Sequence, residues 1–219
     1  MYTRIEMTSK RRIHSALNAR KKPVQERSAA TVAAILEAAA HILETQGLDA
    51  YSTNAVAARA GVSIGSLYQY FPSKDAITRM LISRGGQELL ADIKTVTVGN
   101  DPEAGLEQMI GVAVKHQLQR PALARMLDTE ESRLPMDDGF RRAGREVMQI
   151  FASCLTATGL VSEPDLAVTS RDLFAIIKGM VDSAGQRGET DESALAARVR
   201  RALFGYLMYQ APTNSRYRG

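Results

Sequence analysis

Apolar residues recur at spacings of three and four along most of this chain, and the runs stop at Gly, Pro or capping residues. From Thr31 the stripe is Val32, Ile35, Leu36, Ala39, Ile42 and Leu43, one face of a helix. Ser28 is placed to cap that helix and Gly47 to end it, with Leu48 as an apolar anchor in the connection. Ser52 or Thr53 caps a second helix over 54–60, with Val56, Ala57 and Ala60 inward, and Gly61 stops it. Ser63 caps a third helix over 64–71, Pro72 ends it, and Ser73 caps a fourth that reaches about residue 91. Asp75 suits the first turn of that fourth helix.

The same periodicity predicts helices over 103–120, 122–131, from just after Pro135 to about 157, and over 165–183 and 192–209. No segment alternates as a strand does, and Val96–Val98 is too short to form one. The expected fold is all-α, with about nine helices packed as bundles. Its expected parts are a basic flexible arm (1–27), a first helical domain that holds the short helices (28–75), a larger second helical domain (76–210) and a flexible tail (211–219).

Composition narrows the class. Of 219 residues, 45% are apolar but only 5% aromatic, so Ala, Leu, Val, Ile and Met must fill the core. The single cysteine, Cys154, excludes an internal disulfide and fits a reducing compartment. No run of transmembrane length and no secretory h-region is present, so a cytoplasmic protein that does not enter membranes is expected. Three scattered His residues and one Cys make no metal site, and no cofactor is expected. Charge is uneven: residues 1–27 hold eight Lys/Arg against Glu6 and Glu26, so they carry +6 and the rest −2. A basic arm on a near-neutral body suits a polyanion, and a targeting or solubilising tail is the alternative.

Two short helices joined by the Ala60-Gly61-Val62-Ser63 turn, after a longer helix, make a helix-turn-helix unit. The caps at 52–53 and 63, the Gly turn and the Pro stop all agree. In the third helix Leu67 and Phe71 face inward, partly joined by Ile64. Gly65, Ser66, Tyr68 and Gln69 are left for solvent or DNA. Gly65 lets the helix start approach base edges closely, and Ser66 can donate or accept at a base. Tyr68 and Tyr70 offer hydroxyls to phosphates, and Gln69 can reach a base or a phosphate. Lys74 pairs its charge with the free N–H groups of the next helix start. Ser52, Thr53 and Asn54 form the other phosphate-facing helix start, and Ser63 and Ile64 border the reading surface. Arg20, Lys21, Lys22 and Arg27 would add salt-dependent affinity from the arm. The plain alternative is that Tyr68 and Tyr70 only cover a hydrophobic edge.

The stretch AAILEAAAHILETQG at 33–47, followed by STNAVAARAGVSIGSLYQYFPSK at 52–74, resembles the TetR/AcrR family of bacterial transcriptional regulators. The resemblance covers about residues 30–82. It implies that Gly65 and Ser66 fall on base-contacting positions, and Thr53, Tyr68, Tyr70 and Lys74 on phosphate-contacting ones. It also implies a homodimer on a pseudo-palindromic double-stranded operator, usually released by a small ligand in the C-terminal domain. The departures are Val56, where the family often has Ile, and the long arm before Ser28.

The helices at 165–183 and 192–209 are the expected dimer surface, through Leu173, Ile176, Ile177, Met180, Leu195, Val199, Leu203, Tyr206 and Leu207. The alternative is that these side chains fill the subunit's own core. An apolar or amphipathic effector would meet Met109, His116, Met126, Met148, Phe151, Cys154 and Ile177, although such apolar residues more often fill ordinary core, and His116, between Lys115 and Gln117, reads more readily as part of a wet face. Two other classes compete with a repressor or activator. An enzyme would need a convergent catalytic set, and Glu130, Glu131, Asp137 and Asp138 read instead as solvated loop charge. A non-specific nucleic-acid binder would use only the arm.

Overall fold

A computed structural model describes residues 26–96 and 101–209, without the side chains of 26 and 27. Most of the basic arm, the side chain of Arg27 and the tail therefore lie outside the described residues. The described residues form nine α-helices and no strand: α1 (Glu26–Ala50), α2 (Thr53–Ala60), α3 (Ile64–Tyr70), α4 (Lys74–Lys94), α5 (Pro102–Gln119), α6 (Pro121–Arg133), α7 (Asp138–Ala157), α8 (Leu166–Gln186) and α9 (Glu192–Met208). A single 3-10 turn, Glu163–Asp165, leads into α8. The chain divides into two compact units, one holding residues up to Gln87 with Ala122–Arg141, the other Glu88–Pro121 with the residues from Arg142 onward. The first unit thus runs past residue 75 and takes in a segment from the middle of the chain.

In the first unit Ile35, Leu36, Ala39, Ile42 and Leu43 of α1 meet Val56 and Ala57 of α2, Leu67, Phe71, and Ala76, Ile77 and Leu81 of α4. Leu67 and Phe71 are fully buried. Each contributes about 1.5–3 kcal/mol, which matters because a helix of seven residues cannot stand alone. α1 differs from expectation at both ends. It is already helical at Glu26, the first described residue, so Ser28 lies within the helix rather than capping it. No helix breaker separates Glu26 from Val32. Gly47 does break the helical conformation (φ 74°, ψ −171°), and a further turn to Ala50 follows it.

The acidic residues near Pro135 have structural partners. Arg133 donates to both carboxylate oxygens of Asp75 (2.7 and 3.2 Å) and from Nε to Glu130 (3.0 Å). Hydrogen bonds to Asp75 first and Glu130 second raise its pKa. Asp137 accepts from the Phe140 N–H at 2.8 Å and so caps α7. Arg79 of α4 is buried and donates to the Pro135 carbonyl at 3.2 Å. The end of α6 and the connection that follows it thus grip α4 at two places one turn apart.

The second unit packs Leu106, Met109, Ile110, Val114 and Leu118 of α5 with Phe151, Cys154 and Leu155 of α7, Leu173, Val181 and Ala184 of α8, and Leu195, Val199, Leu203 and Leu207 of α9. α5 and α8 approach closely at Gly185, where a Cβ would lie 2.6 Å from the Gln117 amide nitrogen. α8 ends at Gly188 (φ 71°) with Gly188 N–H bonded to Gly185 O and Glu189 N–H to Ala184 O, the paired bonds of a Schellman motif. Glu189 then holds Arg187 at 3.3 Å and Arg198 of α9 at 2.5 Å.

Candidate nucleic-acid interface

Local hydrogen bonds fix α3 at both ends. Gly61 (φ 67°, ψ 29°) closes α2, with its N–H on Ala58 O and the Val62 N–H on Ala57 O, again a Schellman pair. Only glycine takes that left-handed geometry at no steric cost. Val62 is thereby turned toward the core. Ser63 Oγ accepts from the Ser66 N–H at 3.0 Å and lies 2.8 Å from the Ser66 hydroxyl. When Ser63 donates across that contact, the Ser66 proton is free to point outward. Phe71 caps the other end, and Ser73 Oγ accepts from Ala76 N–H at the start of α4.

The outward face of α3 is Ile64, Gly65, Tyr68 and Gln69, all exposed, with Ser66 half-buried beside them. Ile64 is 39% exposed, so it does not join the inward pair as expected. It is the first residue of the helix and extends past the edge of the core. Tyr70 is half-buried and packs on the core of this unit, so the expectation that α3 exposes it is also corrected. It lies three residues after Leu67, on the margin of the buried face. Tyr68, 41% exposed, lies with its hydroxyl 3.2 Å from Thr53 Oγ1. Two expected phosphate contacts from different helices therefore meet. Ser52 is the N-cap of α2, accepting from Ala55 N–H at 3.2 Å, and Ser52 and Asn54 are exposed. A Cβ on Gly65 would meet only Ser63 Oγ, at 3.9 Å, so packing within the unit does not require a glycine there.

Lys74 is exposed at the first position of α4. Its neighbour in space is Tyr51, a residue that sequence reasoning missed. Tyr51 is 3% exposed, and its hydroxyl donates to the Lys74 carbonyl at 3.2 Å and lies 3.1 Å from Thr78 Oγ1. Burial raises its pKa above the usual phenol value. The available signal was an aromatic directly before the N-cap Ser52, the position from which a hydrophobic staple reaches Val56.

The expected effector residues do not all come together. Met109, Phe151 and Cys154 are buried in the core of the second unit, and Ile177 packs against it. His116 and Met148 are half-buried in that unit, whereas Met126 belongs to the first. A groove of about 400 Å³ in the second unit is lined by Ala175, Ile176, Gly179, Met180, Ser183, Arg187, Leu195 and Arg198, none of them an expected effector residue. Of the expected dimer residues, Leu173, Leu195, Val199, Leu203 and Leu207 fill the subunit's own core, because they share one face with the α5 and α7 stripes. α8 and α9 instead leave Val168, Ala175, Gly179, Gly205 and Met208 exposed. Among the described residues no helix is long and apolar enough to cross a membrane. Among the same residues no group of three or more His, Cys, Asp or Glu could hold a metal ion.

Residues 35–81 match the tetR family of bacterial regulatory proteins, and residues 101–207 match the tetracyclin repressor-like C-terminal domain. The nucleoid occlusion factor SlmA of Marinomonas sp. (strain MWYL1) is 28% identical over 155 residues, 67% of this chain and 79% of its own length. The HTH-type transcriptional repressor KstR of Mycolicibacterium smegmatis is 37% identical over 93 residues, 41% of this chain and 44% of its own. A solved TetR transcriptional regulator from Rhodococcus sp. RHA1 is similar at a TM-score of 0.60 and 26% identity, covering 85% of this chain and 100% of that one. The capped, outward-facing α3 lies inside the first matched segment and the core that joins α5, α7, α8 and α9 inside the second, and the chain belongs to the TetR family of bacterial regulatory proteins, DNA-binding regulators of transcription.

Proposed function

We propose that this chain is a repressor that binds a pseudo-palindromic operator as a homodimer and leaves it when a small apolar or amphipathic effector binds the second unit. The observation that carries the reading is α3, pinned by two buried anchors and presenting Gly65, Ser66, Tyr68 and Gln69 outward. Gly65 and Ser66 read base edges. Thr53, Tyr68, Tyr70 and Lys74 hold phosphates, and the helix starts at Ser52–Asn54 and Lys74 add their N–H groups. Ser63 and Ile64 flank the readers, and Arg27 with the arm adds salt-dependent affinity. The dimer forms through the outer faces of α8 and α9. Support for that comes from Gly179 and Gly205, where a Cβ would meet nothing within 4 Å. An exposed helical glycine costs about 1 kcal/mol against alanine, and close approach by a partner helix accounts for it.

The test is selection of genomic fragments by the purified protein, followed by a screen for compounds that release the selected duplex. Ser66→Ala changes the preference among selected sites, by about tenfold at the contacted base pair. Tyr68→Phe weakens binding to all duplexes alike. Removal of residues 1–24 lowers the salt slope. Unchanged affinity and preference in both point variants would mean that another face of α3 meets DNA.

A further inference from the structure

We propose that Tyr51 is a positioning residue for DNA binding, setting Lys74 at a fixed distance from the start of α2. The proposal rests on the reading of Lys74 and the Ser52–Thr53 helix start as phosphate contacts. Tyr51 directly precedes Ser52, so its backbone belongs to one of these two grips. Its hydroxyl reaches the carbonyl of Lys74, 23 residues later, which belongs to the other. Between the two lie the whole of α2, the turn and α3. The Lys74 ammonium stands 6.0 Å from the centre of the Tyr51 ring, so one side chain engages Lys74 at both its backbone and its charge.

The geometry is built rather than incidental. A buried phenol without a partner is costly, and here the hydroxyl donates to the Lys74 carbonyl at 3.2 Å. Thr78 bonds the same Lys74 carbonyl at 3.0 Å, so two hydroxyls converge on one acceptor with two lone pairs. The phenol is protonated at neutral pH and therefore a donor, and burial raises its pKa further. A lysine side chain carries about 2 kcal/mol of rotamer entropy. Fixing its backbone and leaning its head over a ring shortens the search for a phosphate. A duplex presents its phosphates at a set spacing, so two grips tied to each other match it better than two that drift.

The test uses the full chain and two duplexes of equal length, one recovered by genomic-fragment selection and one of random sequence. Affinities are measured for wild type, Tyr51→Phe, Lys74→Gln and the double variant, with thermal melts to establish folding. Tyr51→Phe keeps the ring and its packing. It is expected to weaken binding to both duplexes by about three- to tenfold, the worth of one hydrogen bond. In the Lys74→Gln background it is expected to cause no further loss. Wild-type affinity in Tyr51→Phe, or an equal loss in both backgrounds, would overturn the proposal. Lys74→Gln binding as wild type would instead overturn the phosphate reading, and the proposal with it. If Tyr51→Phe does not fold, Thr78→Val removes the other hydroxyl from the same carbonyl. Its loss must likewise vanish in the Lys74→Gln background.

Discussion

Gly65 sits in a helix that gives it no internal reason to be glycine. Nothing but a serine hydroxyl at 3.9 Å would meet its Cβ, and its backbone is ordinary helix. Alanine there is expected to stabilise the fold by about 0.5–1 kcal/mol and raise the melting temperature by roughly 1–4 °C. The same change is expected to weaken binding to the selected duplex by about tenfold or more, because the methyl group would stand between helix and base edge. Melting and binding measured on one preparation decide it; a stabilised variant with unchanged affinity would refute close approach at this point. Ser66 and Tyr68 were legible from sequence because caps and inward anchors fix the phase of a short helix. Tyr51 was not, because the partner of its hydroxyl is a backbone carbonyl brought near only by folding.

Among the elements, α8 and α9 are joined by a connection whose charge chemistry makes a pH prediction. Arg198 first, then Arg187, hold the Glu189 carboxyl below its ordinary pKa. An acid with a lowered folded pKa stabilises above its unfolded value, and that contribution fades as pH falls through the folded one. Wild type should therefore melt above Glu189→Gln at pH 7, and the gap should close as pH drops below about 4. A gap that persists at low pH would mean that shape, not charge, makes the contribution. Helix extents were largely legible because Gly and Pro bracket them. The helix at Ser28 was not, since a cap residue such as Ser28 is also tolerated within a helix. Of the acids around Pro135, Asp138 is solvated as expected, whereas Glu130 shares Arg133 with Asp75, which lies 58 residues from that arginine in sequence.

For the whole molecule, the open question is which surface pairs two copies. Gly179→Glu places a charge on the exposed face of α8, where nothing in the subunit lies within 4 Å of the new Cβ. Sedimentation is expected to show a monomer at micromolar concentration, with binding to the selected duplex reduced about a hundredfold or more, since one reader helix spans too few base pairs. A variant that remains dimeric would move the interface elsewhere. Periodicity, caps and breakers were enough to determine an all-α chain, its helix-turn-helix segment and the outward Gly65, Tyr68 and Gln69 of α3, because these are set within a turn or two of helix, whereas Ile64 and Tyr70, at the margin of the buried face, were placed only by packing. Which apolar side of α8 and α9 is core and which is free was decided only by tertiary packing. A stripe on a helix says that one face is buried, but not against what. The same holds for the effector: Met109, Phe151 and Cys154 look like pocket residues in one dimension and pack as core in three. Tyr51 and Arg133 gained their roles only when residues distant in sequence came within hydrogen-bonding reach.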